Sequence, residues 1–392
     1  MRRSDYQITR IISAINTPIL SANWAFIPND PNDPEQMKQA DFKNKVLKEW
    51  MNRPFRETLN NILSYLIFGF AVFEPTFKVI EDKDYGTVTT LNDLGFRKQN
   101  SIEKWFLNED GTIKAIRQEV TGTDNDVDVL INGDEILVFT NDKEGDNYEG
   151  ISLLRGSYGP WLRKQMFHKI EYIGIEKNSI GTPIFYAPKS LRQNAKEKKN
   201  LEDILATYTS HEKAGLILPE EMKDNGFEIK EGKYNSDAVD MAIKREDLAI
   251  LDSVKASFLA IGTTVRGGDK QTEQLASLFL DSLEQIGIYI SEILSPLVHQ
   301  VYVMNFGEPK EVLNLRAVGI NKKDFGKVST TLKNFVDAGL ITPDDGIEYK
   351  IRNEMELPQK EEQQESDREE EKKEDAKQEE EKEESLQFHH LE

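Results

Sequence analysis

The chain contains no cysteine. That excludes disulfide frameworks, cysteine–zinc sites, iron–sulfur clusters and thiol catalysis. Positive charge is also in short supply. Fifty Lys and Arg face 70 Asp and Glu, a formal net charge of −20. Tight sequence-specific DNA binding needs many cation–phosphate contacts, so that class is disfavoured. Long hydrophobic runs are missing too. The longest, ILSYLIFGFAVF (Ile62 to Phe73), is about a dozen residues where a bilayer span needs about 20. The start, MRRSDYQITR, has two arginines but no following apolar segment of the kind a secretory signal carries. No membrane association is expected.

Motifs for chemistry are equally sparse. A phosphate-binding loop needs G-x-x-x-x-G-K-[ST] after a strand. Gly267-Gly268-Asp269-Lys270 has neither that spacing nor a strand before it. The histidines are His168, His211, His299, His389 and His390, of which the last two alone are close in sequence. DNDVDVLINGDE (Asp124 to Glu135) places Asp124, Asp126, Asp128 and Glu135 at four ligand positions of a calcium loop. Its sixth position is Val129 where the sharp turn demands glycine, so a surface β-turn is the expected structure. No serine sits in G-x-S-x-G. No catalytic residue, metal or cofactor is expected, and the chain does not read as an enzyme.

At 392 residues and 45.0 kDa, the chain is long enough for two or three structural units. The composition breaks near Pro358. From Lys360 to Glu384, 14 acidic and 6 basic residues accompany almost no apolar side chain, so this tail cannot bury a core. In the body, Ile8, Ile11, Ile12, Ile15 and Ile19 predict a helix, and Phe42 to Phe68 a second. Gly69 to Ile80, Ile113 to Val120 and Glu135 to Thr140 read as strands. Pro160 suits the first turn of a helix whose face holds Leu162, Met166, Ile170 and Ile173. A short strand, GTPIFYAP, follows, then a polar helix with Ser190 and Gln193 spaced as a capping box. LILP and FEIKEG are short extended pieces. Two long helices come next: one capped by Ser236 and ended by Gly262, the other from Thr272 to Asn305 with a kink expected at Pro296. Between them lies the polar loop TTVRGGDKQ. The fold class is α+β, mainly α.

The ordered series of segments DYQITRIISAINTPILSANWAFIP, FRETLNNILSYLIFGFAVFEPTF, EGISLLRGSYGPWLRKQMFHKIEYIGIEKNSIGTPIFYAP and FLAIGTTVRGGDKQTEQLASLFLDSLEQIGIYISEILSPLVHQVYVMNFG resembles the Mu-like portal proteins of tailed bacteriophages. So does FGKVSTTLKNFVDAGLITPDDGIEYKIRNEMELP. The resemblance covers most of residues 5–358, and the order and spacing of the pieces carry it. It implies a portal fold: a wing over residues 1–150, stem helix 1 over 151–178, a clip over 179–235 and stem helix 2 over 236–262. A tunnel loop over 263–271, the long wing helix and following segment over 272–320 and a crown over 321–358 complete it, with the acidic tail at 359–392. It further implies a ring, usually of twelve subunits, at one capsid vertex of a virion assembled in the host cytoplasm. Double-stranded DNA would pass through without sequence preference, and the partners would be the terminase large subunit, a head–tail adaptor and the major capsid protein. Thr263, Thr264, Val265, Arg266, Gly267, Gly268, Asp269 and Lys270 would face the channel, and Lys196, Lys198 and Lys199 of the clip would dock a partner. A different head–tail connector or a minor capsid protein is the alternative. A packaging enzyme would need the ATP site that is missing.

The low positive charge is consistent with a conduit. Each phosphate neutralised by a fixed cation adds affinity that a DNA motor must overcome. Net charge alone is equally consistent with a protein that never meets DNA.

Overall fold

The computed structural model describes residues 1–120, 127–180, 182–207, 216–219, 226–230, 234–254, 256 and 269–320, with short pieces at 333–338, 342, 348 and 351–352. Of the expected crown, residues 321–332 and most of 339–358 lie outside the described residues, as does the acidic tail. The chain forms two compact units. The first comprises residues 1–20, 51–78 and 91–286; the second comprises 21–50, 79–90 and 287–392.

The first unit opens with helix α1 (Tyr6–Ser21), which buries Ile8, Ile11, Ile15 and Ile19. That 3–4 spacing is the stripe the sequence predicts. Asp5 caps the helix, its Oδ1 accepting from the backbone N–H of Gln7 at 2.9 Å and of Ile8 at 3.2 Å. The second predicted helix is really three: α2 (Pro34–Lys48), which lies in the second unit, then α3 (Phe55–Ile62) and α4 (Ser64–Phe68). Pro54 precedes α3, and the residue before a proline is pushed out of helical angles.

Strands β2 (Phe70–Asp82), β3 (Gly86–Arg97) and β7 (Leu137–Thr140) form a sheet with β2 in the centre. The sequence anticipates β2 and β7 but not β3. Phe70 to Phe73 are all buried, so both faces of the sheet are covered there. A second sheet runs β4 (Ile102–Leu107), β5 (Ile113–Val120), β6 (Val127–Asn132). Phe70, Val72, Ile116, Ile131 and Ile136 make one buried cluster, with Trp105 packed edge-on to Phe70 at 5.4 Å. Of the calcium-loop lookalike, Asp124 and Asp126 lie outside the described residues. Its later part is strand β6, in register with β5 through Glu119 and Asp128, followed by a single tight turn at Gly133–Glu135.

Two glycines join these parts. Gly69 and Gly150 have φ of +96° and +57°. A Cβ on Gly150 would stand 2.4 Å from the Asn141 carbonyl oxygen and 2.6 Å from that of Gly69. Both the backbone angle and the space require glycine. Asn141 bridges the turn, its N–H donating to the Gly69 carbonyl at 2.7 Å.

The second unit holds the antiparallel pair β1 (Asn23–Phe26) and β11 (Leu315–Val318), together with α2 and the later part of α9 (Asp269–Phe306). Phe42 packs edge-on against Trp50, Tyr85, Tyr302 and Phe306. Lys43 is fully buried; its Nζ donates to Gln39 Oε1 and the Leu313 carbonyl, both at 2.9 Å, with the rings of Phe26 and Tyr302 beside it. Burial pushes this ammonium down from 10.5 to about 8. Helix α9 is continuous through Pro296. By length and composition its stretch Gln274–Phe306, of mean hydropathy 1.2, is sufficient to cross a membrane, although polar residues interrupt every apolar run within it. Half of the qualifying window is buried, and a core helix passes the same test. Ile290, Leu294, Val298 and Val301 are fully buried.

Candidate functional site

Residues 151–262, where stem and clip are expected, belong to the first unit. Helix α5 (Tyr158–Ile180) lies antiparallel to α8 (Ser236–Asp252), and three levels of contact fix their alignment. At one end Ser157 Oγ and Ser253 Oγ are 2.7 Å apart. Further along, Arg163 donates to Glu246 Oε2 from Nε at 3.0 Å and Nη2 at 2.7 Å. At the other end Gly174 meets the ring of Tyr234 so closely that a Cβ would stand 2.3 Å from it.

Between these levels sits a buried ion cluster. Lys164 is 1% exposed, and its Nζ lies 2.9 Å from Asp5 Oδ2 and 2.7 Å from Asp247 Oδ1. The same ammonium lies 4.0 Å from the centre of the Tyr6 ring, and the Tyr6 hydroxyl donates to Asp247 Oδ2. Burial and the adjoining carboxylates raise the Tyr6 phenol well above its usual range. One cation therefore ties α5 and α8 to the cap of α1. Nothing in the sequence signals this cluster, because its members are separated by up to 242 positions. Asp5 reads there as no more than an interruption after two arginines.

The chain between the two helices forms a small sheet, β10–β8–β9, with β8 (Thr182–Ala187) parallel to β9 (Leu216–Pro219) and antiparallel to β10 (Phe227–Lys230). The single polar helix expected here is broken into α6 (Lys189–Gln193) and α7 (Ala195–Thr207). The expected capping box fails. Ser190 lies inside α6, which follows Pro188, and the working cap is Asn194, whose Oδ1 accepts from the Lys196 N–H at 3.1 Å. Lys196, Lys198 and Lys199 are exposed on α7, with Lys198 3.9 Å from Glu202.

Helix α8 starts and stops differently from the sequence expectation. Asn235, not Ser236, caps it, its Oδ1 accepting from the Ala238 N–H at 3.1 Å. It ends at Asp252 rather than near Ile261. Ser253 turns its hydroxyl back to the Ile250 carbonyl at 2.7 Å, and the Ala256 N–H bonds to the Leu251 carbonyl. Of the channel-loop residues, Thr263, Thr264, Val265, Arg266, Gly267 and Gly268 lie outside the described residues. Asp269 and Lys270 are already helical, since α9 begins three residues before the predicted Thr272.

Among the described residues no group of three or more His, Asp or Glu side chains could hold a metal ion. What the geometry defines is an α+β fold in which two paired helices, α5 and α8, carry a small sheet between them. Over 91% of each chain its fold is similar to a chain from the neck of an empty GTA particle computed with C6 symmetry, at 11% identity and a TM-score of 0.51. It is similarly close to a chain from the neck of a native GTA particle computed with C12 symmetry, at 10% identity, 91% coverage of each chain and a TM-score of 0.50. The chain belongs to the family of the portal protein of Mu bacteriophage, which matches residues 1–353. That family is a structural, non-catalytic class, and the chain is accordingly a portal-type connector component of a phage-like particle.

Proposed function

We propose that the chain assembles into a homo-oligomeric ring of twelve copies at one capsid vertex, through which double-stranded DNA is packaged and later ejected. The observation that carries this reading is the family match over residues 1–353 of 392. The C12 symmetry of the similar GTA neck supports the copy number. In this reading residues 1–150 and 272–320 form the wing, α5 and α8 the stem, residues 179–235 the clip and residues 321–358 the crown. The clip docks the terminase large subunit and afterwards the head–tail adaptor, with Lys196, Lys198 and Lys199 on the docking face. The wing meets the major capsid protein.

Residues 263–270 face the channel, the last two of them in the first turn of α9. Arg266 and Lys270 touch passing phosphates lightly, with Asp269 moderating them. Gly267 and Gly268 carry no Cβ to restrict the backbone. A net charge of −20 keeps DNA from being gripped elsewhere. Head assembly with the chain withheld tests the role: DNA-free heads are expected, and DNA-filled heads formed without it would contradict the proposal. Arg266→Glu, or Gly267→Ala with Gly268→Ala, should leave rings intact and change the length of DNA packaged. Normal filling by both variants would remove the loop from the channel.

A further inference from the structure

Helix α5 is built inside out. Its inward side carries Lys164, 1% exposed between Asp5 and Asp247, whereas Tyr158, Leu162, Met166 and Ile170 are 52%, 39%, 56% and 51% exposed. These four follow one another at steps of four residues. Each step drifts about 40° around the helix, so they form a single slanting row about 18 Å long. The sequence reads Leu162, Met166 and Ile170 as the helix's apolar face, and the structure turns that face to solvent while burying ions behind it.

We infer that this row is a seam covered by the outer side of α8 from a second copy of the chain, in a head-to-tail contact that repeats around the ring. The inference rests on the ring reading above and names the surface that closes it. Three observations select the occupant. First, the row leaves roughly 300–400 Å² of apolar surface, less than the roughly 800 Å² per partner of a stable interface and fitting for its centre. Second, α8 has a matching outer side. Met241 is 65% exposed there, with Leu248 half-buried along the same side. Third, level and charge agree. The Arg163–Glu246 and Gly174–Tyr234 contacts put Met241 and Asp237 level with the stretch from Met166 to Ile170. A rotation about an axis along the helix pair preserves that level. It brings the exposed carboxylate of Asp237 toward the exposed ammonium of Lys169. Because one side of the contact is α5 and the other is α8, each copy offers both halves, and a closed ring leaves neither uncovered.

The absence of cysteine makes the test direct, since every introduced thiol is unique. The full chain carrying both Met166→Cys and Met241→Cys is treated with a short bis-maleimide. The two positions face away from each other within one copy, across two helix diameters of about 10 Å each, so a short linker cannot join them internally. The expected result is a ladder of cross-linked multimers on a denaturing gel, absent from either single variant. Met166→Glu should raise the concentration for half-assembly at least tenfold while monomer unfolding is unchanged. A dimer band from Met166→Cys alone would mean that two rows face each other and would overturn the seam. Multimers by mass with no cross-link in the double variant would overturn the seam and leave the ring standing. A monomer at every concentration would overturn both.

Discussion

Replacing Lys164 with Met removes the one cation from a site that holds two carboxylates. Asp5 is 1% exposed and Asp247 14%. Both would remain in low dielectric without their 2.9 Å and 2.7 Å partner. Breaking a buried ion pair from one side costs about 3–5 kcal/mol, because the stranded charge keeps its desolvation penalty and loses its compensation. Asp5 cannot swing out to water cheaply, since its other oxygen caps α1, a role worth about 1 kcal/mol. The loss should therefore fall near the upper half of that range. Urea unfolding followed by far-UV circular dichroism, at one fixed protomer concentration, reads it. With a slope of about 3 kcal/mol per M, the midpoint should fall by about 1.3–1.7 M. Adding Asp5→Asn keeps an acceptor for the Gln7 and Ile8 N–H groups while deleting one stranded charge, so the double variant should recover at least half the loss. A fall under about 0.3 M for Lys164→Met, or a double variant less stable than the single, would refute the reasoning.

Lys43 titrates near 8 in the folded chain and at 10.5 when free, so above pH 8 the unfolded state binds more protons. Stability should rise by about 2 kcal/mol between pH 7 and 9.5, and Lys43→Met should flatten that slope in urea titrations. Nearer pH 10 the raised phenols of Tyr6 and Tyr85 act in the opposite direction, which closes the window. Gly150→Ala should cost more than about 2 kcal/mol by thermal unfolding, through φ of +57° and the carbonyl at 2.4 Å, whereas Gly86→Ala, at φ of +71° with open space, should cost about 1–2 kcal/mol. Charge reversal at Lys196, Lys198 and Lys199 should abolish terminase pull-down and leave the ring's mass unchanged.

Those predictions draw on features of unequal visibility in the sequence. Helix α1 is legible because one apolar stripe governs it, and strands β2, β5 and β7 because β-branched and aromatic residues are dense in each, even where, as at Phe70 to Phe73, both faces are buried. Strands β3 and β4 are not, since Asn92, Asp93, Gly95 and Glu103 interrupt the apolar rhythm and their pairing with distant strands decides the outcome. Side chains that bond locally to backbone mislead at element ends. Ser253 stops α8 through the Ile250 carbonyl, and Asn194 and Asn235 take the caps that Ser190 and Ser236 advertise. The face of α5 is the instructive case. Its apolar row is visible in the sequence, but periodicity cannot say whether such a row meets the chain's own core or another surface. Lys164 resolves that question, because its burial against Asp5 and Asp247 fixes which side of the helix faces inward.

The central claim is a ring with an open channel, and electron microscopy of the purified full chain tests it most directly. Class averages should show rotationally symmetric rings with a central hole, and the particle mass should be about twelve times the 45.0 kDa chain. A monomer, a two-fold dimer or a closed particle without a hole would contradict it.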